Sequence, residues 1–270
     1  MQTDGRTGLF GPGMVRTVNG EAVVWLCGGG RALLLQVAHP LVAAAVLEHS
    51  RFRTDPIGRL RDTLAVSFAY LFADAAHAEA AVASVTRGHA RVRGRLPSAV
   101  GPYPASAPYD ALDPALLLWV YATSVDSWLV AYEQFVRPLS ALEREAYWAE
   151  ARRPAPLWGI PPEQLPPDLA GLRAWIDARI TGGDVVVGPQ ARVLARAIFR
   201  PPVRWLPWPI LAPLQLVTAW LLPPPIRRGY GYAWGPRREA FMRRLAAGSR
   251  WLLPHLPALL REVPGARGAT

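Results

Sequence analysis

The chain predicts an all-α fold, a single globular multi-helix domain, and three observations carry that reading. Helix starts are spelled out by an Asp followed by a Pro, at Asp55-Pro56 and Asp113-Pro114. There the carboxylate accepts free backbone N–H groups while the Pro takes the first helical position. Apolar residues then recur at three- and four-residue steps, the spacing of one buried helical face. Strand patterning is scarce, since Val185 to Val187 is a short β-branched run with no evident partner.

Taken in order, Pro40 to Glu48 reads as a helix, and Pro56 to about Phe72 carries the apolar stripe Ile57, Leu60, Leu64, Phe68 and Leu71. The Ala-rich run from about Ala75 to Val92 predicts a second long helix bearing His77 and His89. Pro114 to about Phe135 holds the apolar Leu116 to Val120 run and a polar patch at Thr123, Ser124, Asp126 and Ser127. Ser140-Ala-Leu-Glu143 has the spacing of a capping box and opens a helix to about Arg152. Further helices are predicted near Leu169–Ile180, Pro189–Phe199, Leu211–Leu222 and Pro236–Leu252.

The Pro-rich stretches Gly101–Tyr109 and Pro154–Pro167 are the best linker candidates, but the helices beside them have apolar faces that need partners. The expected organisation is an N-terminal arm over 1–20, one helical domain over 21–264 and a C-terminal tail over 265–270. At 270 residues and 51% hydrophobic the chain can bury a large core, and its 28 Pro and 23 Gly punctuate apolar segments instead of clustering.

The net charge of +10 comes with 30 basic residues, all Arg. They fall in short pairs, such as Arg152-Arg153 and Arg243-Arg244, without the stripe and interleaved readers of a nucleic-acid binder, so no nucleic-acid partner is expected. The single cysteine, Cys27, excludes an intrachain disulfide framework and a multi-Cys metal site and fits a reducing compartment, with the cytoplasm as the default. The N-terminal residues lack the shape of a secretory signal. The most membrane-like segment, Trp205–Leu222, is interrupted by Pro207, Pro209 and Pro213, which favours a buried or interfacial segment over a span and leaves peripheral membrane contact open, as it does homo-oligomerisation.

Four of five histidines, His39, His49, His77 and His89, fall within one short region. Imidazole is the commonest metal ligand, so several on packed helices can converge on a cofactor. Each also has a structural reading: His39 at a helix junction before Pro40, His49 and His89 at helix C-termini where a charged ring complements the dipole, His77 near a helix start. Zinc is poorly served, because there is no H-E-x-x-H and no Cys pair; di-iron wants Glu-x-x-His, which neither His77 nor His89 supplies; and no G-x-S-x-G marks a hydrolase. Haem asks for one helical histidine, an apolar cavity and a few Arg or hydroxyl groups. Arg59 and Thr63, four residues apart on one helical face, are such groups, unless Arg59 simply pairs with Asp62 or Asp55.

The run Gly28-Gly-Gly-Arg31 through Gln36 to His39-Pro40, then Glu48-His49-Ser50-Arg51-Phe52, then Asp55-Pro56-Ile-Gly58-Arg59-Leu60-Arg61-Asp62-Thr63, resembles the MpaB/rubber oxygenase family. The likeness continues through His89-Ala-Arg-Val92-Arg-Gly94, Trp119 to Ser127, and Leu222-Pro-Pro, nearly the whole chain. The resemblance implies an all-helical fold with a haem pocket between helices, haem b and oxidative chemistry. By it, Arg59 and Thr63 match the Arg-x-x-x-Thr pair on the haem side, His89 matches the axial iron ligand, and Glu48 is the candidate catalytic carboxylate. His39, His49 and Tyr121 are the further candidates for lining the cofactor. Two positions depart from the pattern: Asp62 stands where rubber oxygenases carry a Lys, and Tyr121 where a His is expected. The implied activity is a haem b-dependent oxygenase acting with dioxygen or peroxide on an apolar small molecule. The alternatives are a non-catalytic haem-binding or sensor protein of the same fold, and a structural or membrane-surface protein.

Overall fold

The computed structural model describes residues 8–199 and 208–266. Its helices, in chain order, are α1 (Met14–Gly20), α2 (Ala22–Ala38), α3 (Pro40–His49), α4 (Pro56–Phe72), α5 (Ala75–His89), α6 (Pro114–Phe135), α7 (Ala141–Ala151), α8 (Leu169–Thr181), α9 (Pro189–Phe199), α10 (Trp208–Leu221), α11 (Pro224–Gly229), α12 (Pro236–Leu252) and α13 (Ala258–Arg261). Helix, 3-10 turns included, accounts for 71% of the described residues, and the only sheet among them is an antiparallel pair, β1 (Arg93–Arg95) with β2 (Pro108–Asp110). The all-α reading therefore stands.

The local capping signals act where the sequence predicts. Asp55 and Asp113 accept backbone N–H groups at the starts of α4 and α6, and Ser140 and Glu143 form the reciprocal capping box of α7. Between α2 and α3 the chain turns through 103°, because His39, preceding Pro40, is held extended at ψ 122° and cannot continue a helix. Val185 to Val187 forms no strand; it crosses from α8 to α9 with Val185 and Val187 buried in the core.

The core is centred on α2, which packs along α6 on one side and α10 on the other. Two glycines make this approach close: a Cβ on Gly28 would stand 3.0 Å from the Ser127 carbonyl oxygen, and one on Gly30 would stand 2.2 Å from Thr218 Oγ1. Next in the chain, Arg31 ties the three helices together. It donates to Asp126 Oδ2 at 2.6 Å, Ser127 Oγ at 2.7 Å and the Leu221 carbonyl at 2.9 Å, all buried. Arg173 adds a second contact to Asp126 at 3.2 Å, so the buried carboxylate is paired on both oxygens. α6 is long and apolar enough to cross a membrane, but most of it is buried inside the protein, as befits its central place in the core.

The stretch expected to be an N-terminal arm contributes Phe10, Val15 and Val18 to the core, and the Glu150 carboxylate accepts the Met14 and Val15 N–H groups that begin α1. The two Pro-rich stretches are likewise packed. One contains β2, and the other folds as 3-10 turns with Ala155 and Ile160 buried and the Pro166 carbonyl accepting Trp148 Nε1–H at 3.2 Å. Of Trp205–Leu222, residues 205–207 lie outside the described residues; the remainder is α10 and its end, whose Val217, Thr218, Ala219, Leu221 and Leu222 are buried.

Candidate functional site

α4 and α5 form an antiparallel hairpin, with Asp74 capping α5 directly after α4 ends. Positions equally far from that turn face each other, which sets Arg59, near the start of α4, against His89, the last residue of α5. Arg59 Nη1 donates to Thr63 Oγ1 at 2.7 Å, and the Thr63 hydroxyl donates in turn to the Arg59 carbonyl, also at 2.7 Å. Asp62 and Asp55 are engaged elsewhere: Asp62 pairs with Arg51 at 2.9 Å, and Asp55 caps Gly58 N–H. Among the described residues Arg59 therefore makes no close ion pair, although the Asp62 charge acts on it.

His89 is half-buried, and its ring has no hydrogen-bond partner among the described residues. Burial first, and the nearby Arg59 charge second, hold its pKa below the ordinary imidazole value, so the ring is neutral at pH 7 with a lone pair available. Arg59, exposed at the surface, has its pKa lowered by partial desolvation against the opposing pull of the Asp62 charge, and the guanidinium remains charged. The hairpin buries little: only Gly58, Tyr70 and Leu71 on α4 and Ala78 and Val82 on α5 are inaccessible. Beside Arg59, Leu60, Leu64 and Phe68 share one helical row. Leu60 is exposed, and Phe68 meets Trp25 of α2 edge-on at 4.8 Å, extending the apolar wall to Trp128.

The other histidines are engaged. His39 Nδ1 accepts the Leu41 N–H, so Nε2 carries the proton and donates to Tyr103 Oη at 3.1 Å; burial lowers its pKa to about 4. His77 binds the Asp74 carboxylate at 2.7 Å, at the opposite end of α5 from His89. His49 Nε2 lies 3.1 Å from Tyr109 Oη, whose hydroxyl also donates to Glu48, so Glu48, His49 and Tyr109 form one cluster at the end of α3. That phenol is held protonated by burial and by the Glu48 charge. Tyr121 donates to the Ala151 carbonyl and lies 3.1 Å from Tyr70 Oη. Because Tyr70 is three turns beyond Arg59 along α4, roughly 16 Å at 1.5 Å per residue, Tyr121 belongs to the far end of the hairpin.

A family model described as the ER-bound oxygenase mpaB/B'/Rubber oxygenase catalytic domain matches residues 15–251, from the second residue of α1 to the end of α12. The chain belongs to this family. Two relatives, Uncharacterized protein Mb2261 of Mycobacterium bovis and Uncharacterized protein Rv2237 of Mycobacterium tuberculosis, are each 28% identical over 245 residues, 86% of this chain and 87% of theirs. No solved structure matches. Membership in the mpaB/rubber oxygenase family makes the domain one of oxygenase type.

Within this oxygenase domain the described residues offer single donors and no cluster that would hold a metal by protein side chains alone. No group of three or more His, Cys, Asp or Glu converges among the described residues, whereas a porphyrin brings four nitrogens of its own and asks the protein for one imidazole and a cation for its propionates. His89 and Arg59 are the imidazole and the guanidinium that stand together here. A cavity of about 230 Å³ between α9, α10 and Tyr230–Tyr232 is lined by none of the predicted site residues. Sequence reasoning missed Tyr103, Tyr109 and Tyr70 as partners of the predicted residues. One trace of Tyr109 exists in the family-like stretch ending at Gly94, where a Cβ would strike the Tyr109 hydroxyl at 2.3 Å.

Proposed function

We propose that this mpaB/rubber oxygenase-type domain is a haem b-dependent oxidoreductase that acts with dioxygen or peroxide on an apolar small molecule. The observation that carries the reading is the pairing of a neutral His89 imidazole, without a hydrogen-bond partner among the described residues, with Arg59, a guanidinium that makes no close ion pair among them. Haem b, when bound, supplies an iron that activates the oxidant. His89 would hold that iron through an imidazole nitrogen, which its lowered pKa keeps free of a proton at neutral pH. Arg59, its direction set by Thr63, pairs with a propionate or orients the oxidant. Leu60, Leu64 and Phe68 offer an apolar surface to the substrate. Glu48, bridged to His49 by Tyr109, is the candidate for the family's catalytic carboxylate.

The test is the visible spectrum of the purified protein, before and after titration with haemin, for the wild type, His89→Ala and Tyr121→Phe. A Soret band lost or shifted in His89→Ala and kept in Tyr121→Phe is the expected result. A protein that stays colourless, or a His89→Ala variant with the native spectrum, overturns it. Oxygen consumption with a panel of apolar substrates then separates an oxygenase from a haem-binding protein without turnover, which would match free haem.

A further inference from the structure

α12 carries two apolar faces where a surface helix ordinarily has one. Met242 and Ala246 are buried against the core, and Ser249 Oγ on the same side donates to the Phe135 carbonyl of α6 at 2.9 Å. The second face looks outward. Phe241, Leu245 and Leu252 recur at helical spacing, all exposed, with Phe241 56% and the adjoining Trp251 72% accessible. At 100° per residue, Arg237 and Arg244 fall inside the same arc, between Trp251 and Phe241. Leu260 on α13, just beyond, is 67% accessible.

The charge on this face has one sign. No Asp or Glu occurs from Ala240 to Arg261; of the two flanking acids, Glu239 is turned inward to the indole N–H groups of Trp220 and Trp234 and to Arg243, and Glu262 is paired with Arg261 at 2.9 Å. Contiguous exposed apolar surface marks an interaction site. The combination of an apolar stripe, a Trp at its edge and arginines without acids complements a lipid surface bearing negative headgroups. We infer that α12, with the segment that follows it to Leu260, docks on an anionic lipid bilayer, the helix lying in the interface plane. Phe241, Leu245 and Leu252 enter the acyl boundary, while Arg237 and Arg244 reach the phosphate oxygens and their methylene stems lie along the apolar layer. Five arginines on α12 bar it from spanning the bilayer. The inference does not depend on the haem reading.

Flotation of the whole protein with vesicles of pure phosphatidylcholine, and with vesicles enriched in phosphatidylglycerol, tests it. The wild type should float with the anionic vesicles, far less with the neutral ones, and release as salt is raised. Arg237→Gln/Arg244→Gln should lower anionic partitioning roughly tenfold or more, whereas Arg153→Gln/Arg196→Gln, which removes the same charge from exposed sites elsewhere, should change it little. Phe241→Ser/Leu245→Ser should abolish flotation while keeping the helical circular dichroism of the wild type, since both side chains are exposed. Absence of binding to anionic vesicles, or equal flotation of all variants, overturns the inference. So does a wild-type dimer in lipid-free solution that becomes monomeric in Phe241→Ser/Leu245→Ser, because the face would then be occupied by a second copy.

Discussion

Arg59 and His89 face each other across the α4–α5 hairpin, and the guanidinium of the first helps keep the imidazole of the second unprotonated. The relationship is useful to a ligand-binding histidine, because a proton on the ring removes the lone pair. It also links the two residues in a way that can be measured.

Arg59→Gln should raise the His89 pKa toward its ordinary value near 6.5, and Arg59→Lys, which keeps the charge but loses the geometry of the Thr63 bond, should raise it less. Titration of the imidazole carbon-bound protons by NMR reads both. An unchanged His89 titration in Arg59→Gln would mean that burial alone sets the value.

His39 makes stability depend on pH. Its folded pKa of about 4 lies below the unfolded value, so the unfolded chain binds the extra proton between roughly pH 6.5 and 4. Stability from this group is complete above about pH 6.5 and falls through that window, by about 3 kcal/mol at pH 4. Urea unfolding at several pH values should show a shallower fall for His39→Asn, which can still cap α3 and does not titrate. Parallel pH profiles for the two proteins would exclude His39 as the source.

Adjacent glycines of α2 should respond with opposite sign. Gly30→Ala drives a Cβ into the buried, β-branched Thr218 and should cost about 1–3 kcal/mol. At Gly29 an added Cβ would meet nothing within 4 Å, so Gly29→Ala should gain about 0.5–1 kcal/mol from helix propensity. Thermal unfolding of the two variants decides it, and destabilisation by both would contradict the packing described.

Asp126→Asn leaves Arg31 charged and buried, and should cost about 3–5 kcal/mol. Asp62→Asn, which removes the exposed partner of Arg51, should cost less than about 1 kcal/mol. Comparable losses in denaturant titrations would show that burial does not separate the two pairs.

By itself the sequence determined where helices begin and end, because capping is chemistry within four residues: Asp55 with Gly58, Asp113 with Ala115, Ser140 with Glu143. It also placed Arg59 and Thr63 on one face, since helical periodicity is local too. The short β1–β2 pair was not legible, because Arg93 and Arg95 flank Gly94 without β propensity and the strands form where they dock against α3. Nor could the histidines be sorted. His39 finds Tyr103 and His49 finds Tyr109, each some sixty residues away, whereas His77 has its carboxylate partner three residues away. Such partners depend on the directions in which packed helices and loops present their side chains, and only the tertiary structure decided that His89 is the one left beside Arg59 without a hydrogen bond among the described residues.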